Sequence, residues 1–382
     1  MIQITPGSHA FRIILTLLLT GEFPFRSLRL LGDERTLKAI ATRLCKSDTV
    51  QFWWIDEPYL GRVIYLSGKG KMKTMRLSKK VFPFIGDVLE RDLHQYLCAY
   101  PQGHFRGDKT RIDRHHRLAE TTAFMMMSGI ECSAHLVPQL QVMETLPLDF
   151  EEPAFYGSKY LKSLGNDEEK KTQFTRLTGS LFCQSGNYIV YNSRDSVMNW
   201  NGQGERKMVQ NMETICKCNY YIDPIKSAIL LGIDYDIALS TLARYEGGDK
   251  SVMLSQQGFN HIHFVPMTSE GRKLLQIMML PNWKDDLLLY LFAEEQLMVG
   301  KGSFTYDALV DGVHMLSFLD SDILKLSAYH RSVKGRDYQW AVYCFDFQFY
   351  FLTQYLGSTA DIRIIDIDEI HRNMGADRRA LL

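Results

Sequence analysis

Gly32-Asp33-Glu34-Arg35-Thr36-Leu37-Lys38-Ala39-Ile40-Ala41-Thr42-Arg43-Leu44-Cys45-Lys46 is the stretch on which the fold of this chain turns. Gly32-Asp33 makes a tight turn into a helix over 34–46. On that helix Leu37, Ile40, Ala41 and Leu44 fall within an arc of about 100° and form the core side. Arg35, Lys38, Ala39 and Thr42 share the opposite side with Arg43 beside them, so the outward face is basic, small and polar.

Upstream, Ser8 to Thr20 reads as a helix with Ser8 as N-cap and Phe11, Ile14, Leu15, Leu18 and Leu19 on one face, ended by Gly21. After Phe23-Pro24, a short helix from Phe25 to Leu31 presents Leu28 and Leu31 inward. The three segments make a helix-turn-helix. Downstream, Val50 to Ile55 is a β-rich run, Asp56 to Gly61 a connection, and Arg62 to Leu66 a second strand. Strand, loop, strand after three helices predicts a winged helix. Ser67-Gly68-Lys69-Gly70-Lys71 follows as a loop leading back into helix, and the segment to Lys80 adds Lys73, Arg76, Lys79 and Lys80.

The geometry points to double-stranded DNA. A helix about 10–12 Å across fits the ~12 Å major groove, where Arg or Lys bridges guanine O6 and N7, while a wing lies along the backbone or minor groove. The residues expected to carry this are Arg35, Lys38, Thr42 and Arg43 on the helix, with Tyr59, Arg62, Lys69 and Lys71 on the wing. A winged helix that contacts only protein is the competing reading, and the acidic pair Asp56-Glu57 favours it.

Composition agrees with a folded, multi-domain protein. The 382 residues carry 44 Lys+Arg against 44 Asp+Glu and are 46% hydrophobic, close to average globular usage, so disorder and collagen-like classes are excluded. Met1 to Glu120 holds about 20 basic against about 12 acidic residues, which makes the remainder acidic. A cationic module on an acidic body is the polarity expected of a DNA-facing first third. The longest early apolar stretch, Ile13 to Leu19 broken by Thr16, is well short of the ~20 residues of a membrane span. It also has no basic segment before it and no small-residue cleavage site after it. Seven scattered cysteines, Cys216-Lys-Cys218 among them, fit a reducing compartment and no zinc knuckle. The expectation is a cytoplasmic protein with no membrane partner and no cofactor.

Domains are expected at 1–80 (winged helix), 81–110 (helical connector) and 111–382 (α/β body, subdivided near 220). The connector is marked by Pro101-Gln102-Gly103-His104-Phe105-Arg106-Gly107-Asp108-Lys109, and His115-His116 by their place as polar residues early in the next helix. Later, Leu181-Phe182 and Tyr188 to Tyr191 read as a hairpin around Gln184-Ser185-Gly186-Asn187. Glu205 to Ile215, Asp236 to Tyr245 and Ser269 to Met279 read as helices. Ala228 to Ile233, His261 to Val265, Val313 to Phe318, Trp340 to Phe345 and Ile362 to Ile367 read as strands. The alternation predicts a mixed-sheet α/β body.

Several phrases resemble a family of proteins of plasmids and integrative conjugative elements of Firmicutes related to the replication-relaxation family. They are the N-terminal winged-helix pattern, His115-His116-Arg117-Leu118-Ala119-Glu120, Met125-Met126-Met127-Ser128-Gly129-Ile130-Glu131 and Leu136-Val137-Pro138-Gln139-Leu140-Gln141. Pro153 to Lys162, Thr175 to Leu181 and Tyr188 to Asn192 with Trp200 continue the resemblance, which covers roughly Met1 to Met212. It implies a DNA-binding accessory of mobile-element replication, relaxation or transfer, with relaxase or replication proteins or a second copy as partners. It supplies no catalytic residues.

Two enzyme readings compete with binding. His261-Ile262-His263 on a strand puts both imidazoles on one face, as two ligands of a divalent cation, and Tyr343, Tyr350 or Tyr355 is then the candidate nucleophile of a DNA nickase. A metal-dependent nuclease draws instead on Glu120, Asp234 or Asp236 with Lys159 or Lys162, yet no Asp and Glu-x-Lys string stands at strand spacing. A degenerate nuclease-like body fits that pattern better than an active one. Asp366-Ile367-Asp368-Glu369 reads as a solvated strand end, and no phosphate-binding loop or Gly-x-Ser-x-Gly elbow is present. The residues favour a binding protein over an enzyme.

Overall fold

The computed structural model describes residues 1–132, 152–161, 176–199, 209, 226–252, 254, 258–298, 305–337 and 339–376. The protein is mixed α/β and divides into two compact units, Met1–Pro138 with Ala154–Leu164, and a second made of most of the remainder.

The first unit opens with β1 (Ile2–Ile4) and α1 (His9–Thr20), whose N-cap Ser8 accepts the Phe11 N–H at 3.2 Å. Ile13, Ile14, Leu17 and Leu18 are buried, and Phe11, Leu15 and Leu19 pack at the margin of the same core. Next come β2 (Phe23–Pro24), a 3₁₀ helix (Phe25–Leu31) and α2 (Glu34–Leu44). Four strands follow, β3 (Asp48–Phe52), β4 (Tyr59–Gly61), β5 (Ile64–Ser67) and β6 (Thr74–Leu77).

These strands sort into two small sheets, in the orders β1-β3-β4 and β2-β6-β5. The run beginning at Val50 therefore pairs antiparallel with Tyr59–Gly61, not with the Arg62–Leu66 strand. That second strand pairs antiparallel with β6, in the segment expected to be helical.

The unit is completed by α3 (Phe82–Ala99), α4 (Lys109–Met127), β7 (Ala154–Gly157) and α5 (Ser158–Leu161). Pro101 to Asp108 does connect two helices, but Ala119, Ala123 and Met126 of α4 lie in the same core as α1 and α2. The first unit thus runs past the boundary expected near 101–109. His115 and His116, expected as polar helix-start residues, are buried. His115 Nε2 donates to the Thr20 carbonyl at 2.6 Å and its ring stacks on Phe105 at 4.2 Å, while His116 Nε2 lies 3.6 Å from Glu22.

In the second unit, β8 (Leu177–Cys183) and β9 (Gly186–Arg194) form the expected antiparallel hairpin. β10 (Ser227–Gly232) lies parallel to β9, and after α6 (Tyr235–Glu246) comes β11 (His261–Pro266), parallel to β10. Then follow α7 (Ser269–Met278) and α8 (Trp283–Leu291). A further sheet, in the order β12-β13-β14-β15, is built from β12 (Ala308–Val310), β13 (Val313–Ser317), β14 (Trp340–Phe345) and β15 (Asp361–Ile365). β13, β14 and β15 are parallel. Their crossovers are α9 (Ile323–Val333) and α10 (Phe349–Leu356), and α11 (Ile367–Asn373) follows β15. The expected division near 220, the helix at Glu205 to Ile215 apart from Val209, and the Cys216/Cys218 pair lie outside the described residues.

Candidate functional site

α2 forms where its sequence provides both a start and a stripe. The Asp33 carboxylate accepts the Thr36 N–H at 2.8 Å, and hydrogen bonds from the Thr36 side chain and then its backbone hold its carboxyl below the usual carboxylate range. Leu37, Ala41 and Leu44 are fully buried, and burying each leucine contributes about 1.5–3 kcal/mol. Burial of that side fixes the other outward: Arg35, Thr36, Ala39, Thr42, Arg43 and Lys46 are exposed. Arg35 makes no ion pair with a described residue. Lys38 is half-exposed and pairs with Glu34 one turn back at 2.5 Å, an exposed contact worth little. Thr42 Oγ1 donates to the Lys38 carbonyl at 2.7 Å. Arg43 is partly engaged by its own chain, with Nη2 donating to the Met1 carbonyl at 3.2 Å and lying 3.9 Å from Asp48.

The second element is the β5–β6 hairpin. Its register pairs Ile64 with Leu77, Tyr65 with Arg76, Leu66 with Met75 and Ser67 with Thr74. Ile64, Met75 and Leu77 face the core, and Tyr65 is exposed. The tip is Gly68-Lys69-Gly70-Lys71-Met72-Lys73. Gly68 sits at φ +76°, and a Cβ there would meet the Met72 carbonyl oxygen at 2.3 Å, so the tight return requires glycine. Lys69 and Lys71 are exposed, whereas the Lys73 ammonium lies 4.3 Å from the Phe25 ring centroid.

Hairpin and helix are joined through the backbone, because Val63 N–H donates to the Leu44 carbonyl at 3.0 Å and Ser78 N–H to the Val63 carbonyl at 2.9 Å. Cys45, half-buried at the end of α2, has its thiol pushed up to about 11 by burial, against the pull of Lys73 and Arg62. Two lysines at the hairpin tip and the exposed stripe of α2 thus belong to elements that are hydrogen-bonded to each other.

Tyr59 is not part of this surface. As the first residue of β4 it turns inward, its ring centroid 4.8 Å from that of Phe84 and its hydroxyl donating to the Arg62 carbonyl at 3.1 Å. Arg62 itself is exposed, as expected. The sequence reading placed Lys69 and Lys71 in a loop but missed that the loop closes a hairpin on Thr74–Leu77, which adds the cross-strand pair Tyr65 and Arg76 to its face.

Among the described residues the enzyme candidates do not assemble into a metal site. His261 and His263 do share one face of β11, their rings stacked 5.9 Å apart. Each is engaged elsewhere: His261 Nδ1 meets Asp322 Oδ2 at 2.6 Å, and His263 Nδ1 meets the Asp320 carbonyl at 2.7 Å. Burial, with the Lys284 charge, lowers His263 to about 4. Burial pushes the Asp322 carboxyl up, but the His261 hydrogen bond and neighbouring positive charge outweigh it and hold it below the ordinary range. Among the described residues no three His, Cys, Asp or Glu side chains converge as a metal site.

Tyr343 lies on β14, where Arg363 covers its ring, Tyr350 is exposed on α10, and the Tyr355 hydroxyl binds Glu246. Glu120 accepts from Ser27 at 2.6 Å in the first unit, whereas Asp234 caps α6 in the second. Asp236 lies in the first turn of α6. Lys162 lies outside the described residues, as does the Lys159 side chain. Asp366 caps α11, and Asp368 pairs with Lys273.

No helix among the described residues is long and apolar enough to cross a membrane. Comparison with family models, curated proteins and solved structures finds no match.

Proposed function

We propose that the first unit is a winged helix-turn-helix that binds double-stranded DNA, with α2 as the groove helix and the β5–β6 hairpin as the wing. The observation carrying this is the strand order β2-β6-β5, with β2 directly after α1 and β5 and β6 after all three helical segments, and a lysine-tipped hairpin bonded to the end of α2. Arg35, Lys38 and Thr42 meet base edges and phosphates, and Lys69, Lys71 and Arg62 neutralise backbone. Arg43 serves mainly to tie α2 to the N-terminal strand.

Through the resemblance of its sequence phrases, the protein acts in the cytoplasm as an accessory of plasmid or conjugative-element replication, relaxation or transfer, beside relaxase or replication proteins. The second unit is read as a degenerate nuclease-like sheet, on the ground that the sequence holds no Asp and Glu-x-Lys string at strand spacing.

A salt-titrated mobility shift tests the proposal. Arg35→Ala/Lys38→Ala should weaken retention at least about tenfold and flatten its salt dependence. Retention equal to wild type and insensitive to salt would sink it.

A second reading, docking of a protein partner, draws on Trp53 and Leu60, which are 72% and 76% exposed in the same unit. It predicts no DNA retention at low salt and loss of a co-purifying partner in Trp53→Ser/Leu60→Ser.

A further inference from the structure

We infer that the outer edge of β15 is a self-association surface, on which two copies of the chain pair antiparallel about Ile362, setting Asp361 of each opposite Arg363 of the other. The inference is independent of DNA binding.

β15 is the last strand of its sheet. One edge is taken by β14, from Ala341 opposite Asp361 to Phe345 opposite Ile365, and no described residue pairs with the other. Proteins blunt such edges with proline, bulges, very short strands or charged side chains. Asp361-Ile362-Arg363-Ile364-Ile365 has no proline and pairs with β14 without a bulge, and its two charges are opposite in sign and two residues apart.

That spacing selects a register. Antiparallel pairing centred on Arg363 would bring two guanidinium groups face to face. Shifted by one residue to Ile362, the same strand opposes each carboxylate to a guanidinium, and the four charges alternate on one face. Residues directly opposite in a strand pair sit about 4.5–5.5 Å apart at Cβ, within reach of such ion pairs.

The charges are already ordered. Arg363 Nη2 donates to Asp361 Oδ2 at 3.1 Å, and the guanidinium carbon lies 5.6 Å from the Tyr343 ring centroid. On the other face Ile364 is 52% exposed and in this register lies opposite Ala360 of the second copy. α10, which packs on β15, leaves Phe349 and Tyr350 exposed. Apolar surface is thus left beside the strand edge.

Sedimentation velocity on the full chain, over a range of micromolar concentrations, tests this. Wild type should run at twice its 44.1 kDa. Asp361→Arg alone and Arg363→Asp alone should each run as monomers, because each puts like charges opposite. An equimolar mixture of the two single variants should return to the dimer, as should the double swap D361R/R363D, which also shows that the variants are folded. A monomeric wild type would overturn the inference. So would a dimer indifferent to the single swaps, or single swaps whose mixture stays monomeric.

Discussion

Val63 donates its backbone N–H to the carbonyl of Leu44 at 3.0 Å, so the C-terminal turn of α2 and the entry to the β5–β6 hairpin are one hydrogen-bonded piece. Leu44 and Val63 are both fully buried, and a buried backbone pair of this kind is costly to leave unmade. A surface spanning helix and hairpin is therefore held in shape before any ligand arrives.

Changing Lys69 and Lys71 together to Ala should leave thermal stability unchanged, because both side chains project from the hairpin tip into solvent. If each lysine meets one phosphate, the slope of log affinity against log salt should fall by about 0.9 per contact, equally on any duplex sequence. Fluorescence anisotropy across a salt series on two unrelated duplexes measures this.

Tyr59→Phe separates core from surface. Removing the hydroxyl that donates to the Arg62 carbonyl should cost about 0.5–1.5 kcal/mol in urea unfolding. DNA affinity should not change, since the ring lies on Phe84 rather than on the outward face.

His263 sets an acid limit on the second unit. Its imidazole is fully buried and titrates near 4, below the 6.5 of an ordinary histidine. Between those values the unfolded chain takes up a proton that the folded one refuses, so stability is full above pH 6.5 and declines as pH falls toward 4. From pH 7 to pH 5 the loss should exceed that of His263→Phe by about 2 kcal/mol, read from denaturant midpoints. Equal losses in both proteins would refute the assignment.

Gly271→Ala tests how tightly α7 seats on β11. A Cβ at 271 would stand 1.7 Å from the Pro266 carbonyl oxygen, a backbone atom with no freedom to swing aside. Overpacking there should cost about 1–3 kcal/mol or more and lower the unfolding midpoint.

Long elements with a full period were legible in the sequence. α1 with its Ser8 cap, α2, β10, β11 and β14 fall within about two residues of their expected bounds, and the β8–β9 hairpin lies where expected but with strands longer at their outer ends, because period and punctuation are local signals. The pairing of the short strands was not. β4 is three residues, Tyr59–Gly61, directly after Pro58, too brief to show alternation, so Tyr59 read as a loop tip when it is core. β6 sits among lysines that favour helix, and only its distant partners in β2 and β5 make it a strand. His115 and His116 were misjudged for a similar reason: their burial depends on α4 packing against α1 and Thr20, contacts far apart in the chain. Of the candidate surface, Arg35, Thr42, Arg62, Lys69 and Lys71 were placed outward correctly, and Lys38 lies half-exposed beside Glu34.

The first strand also bears on handling. Ile2–Ile4 runs parallel to β3, and the Met1 carbonyl accepts from Arg43 in the last turn of α2. Whatever polypeptide is fused ahead of Met1 therefore emerges next to that turn, so a purification handle there would crowd the face whose affinity is to be measured.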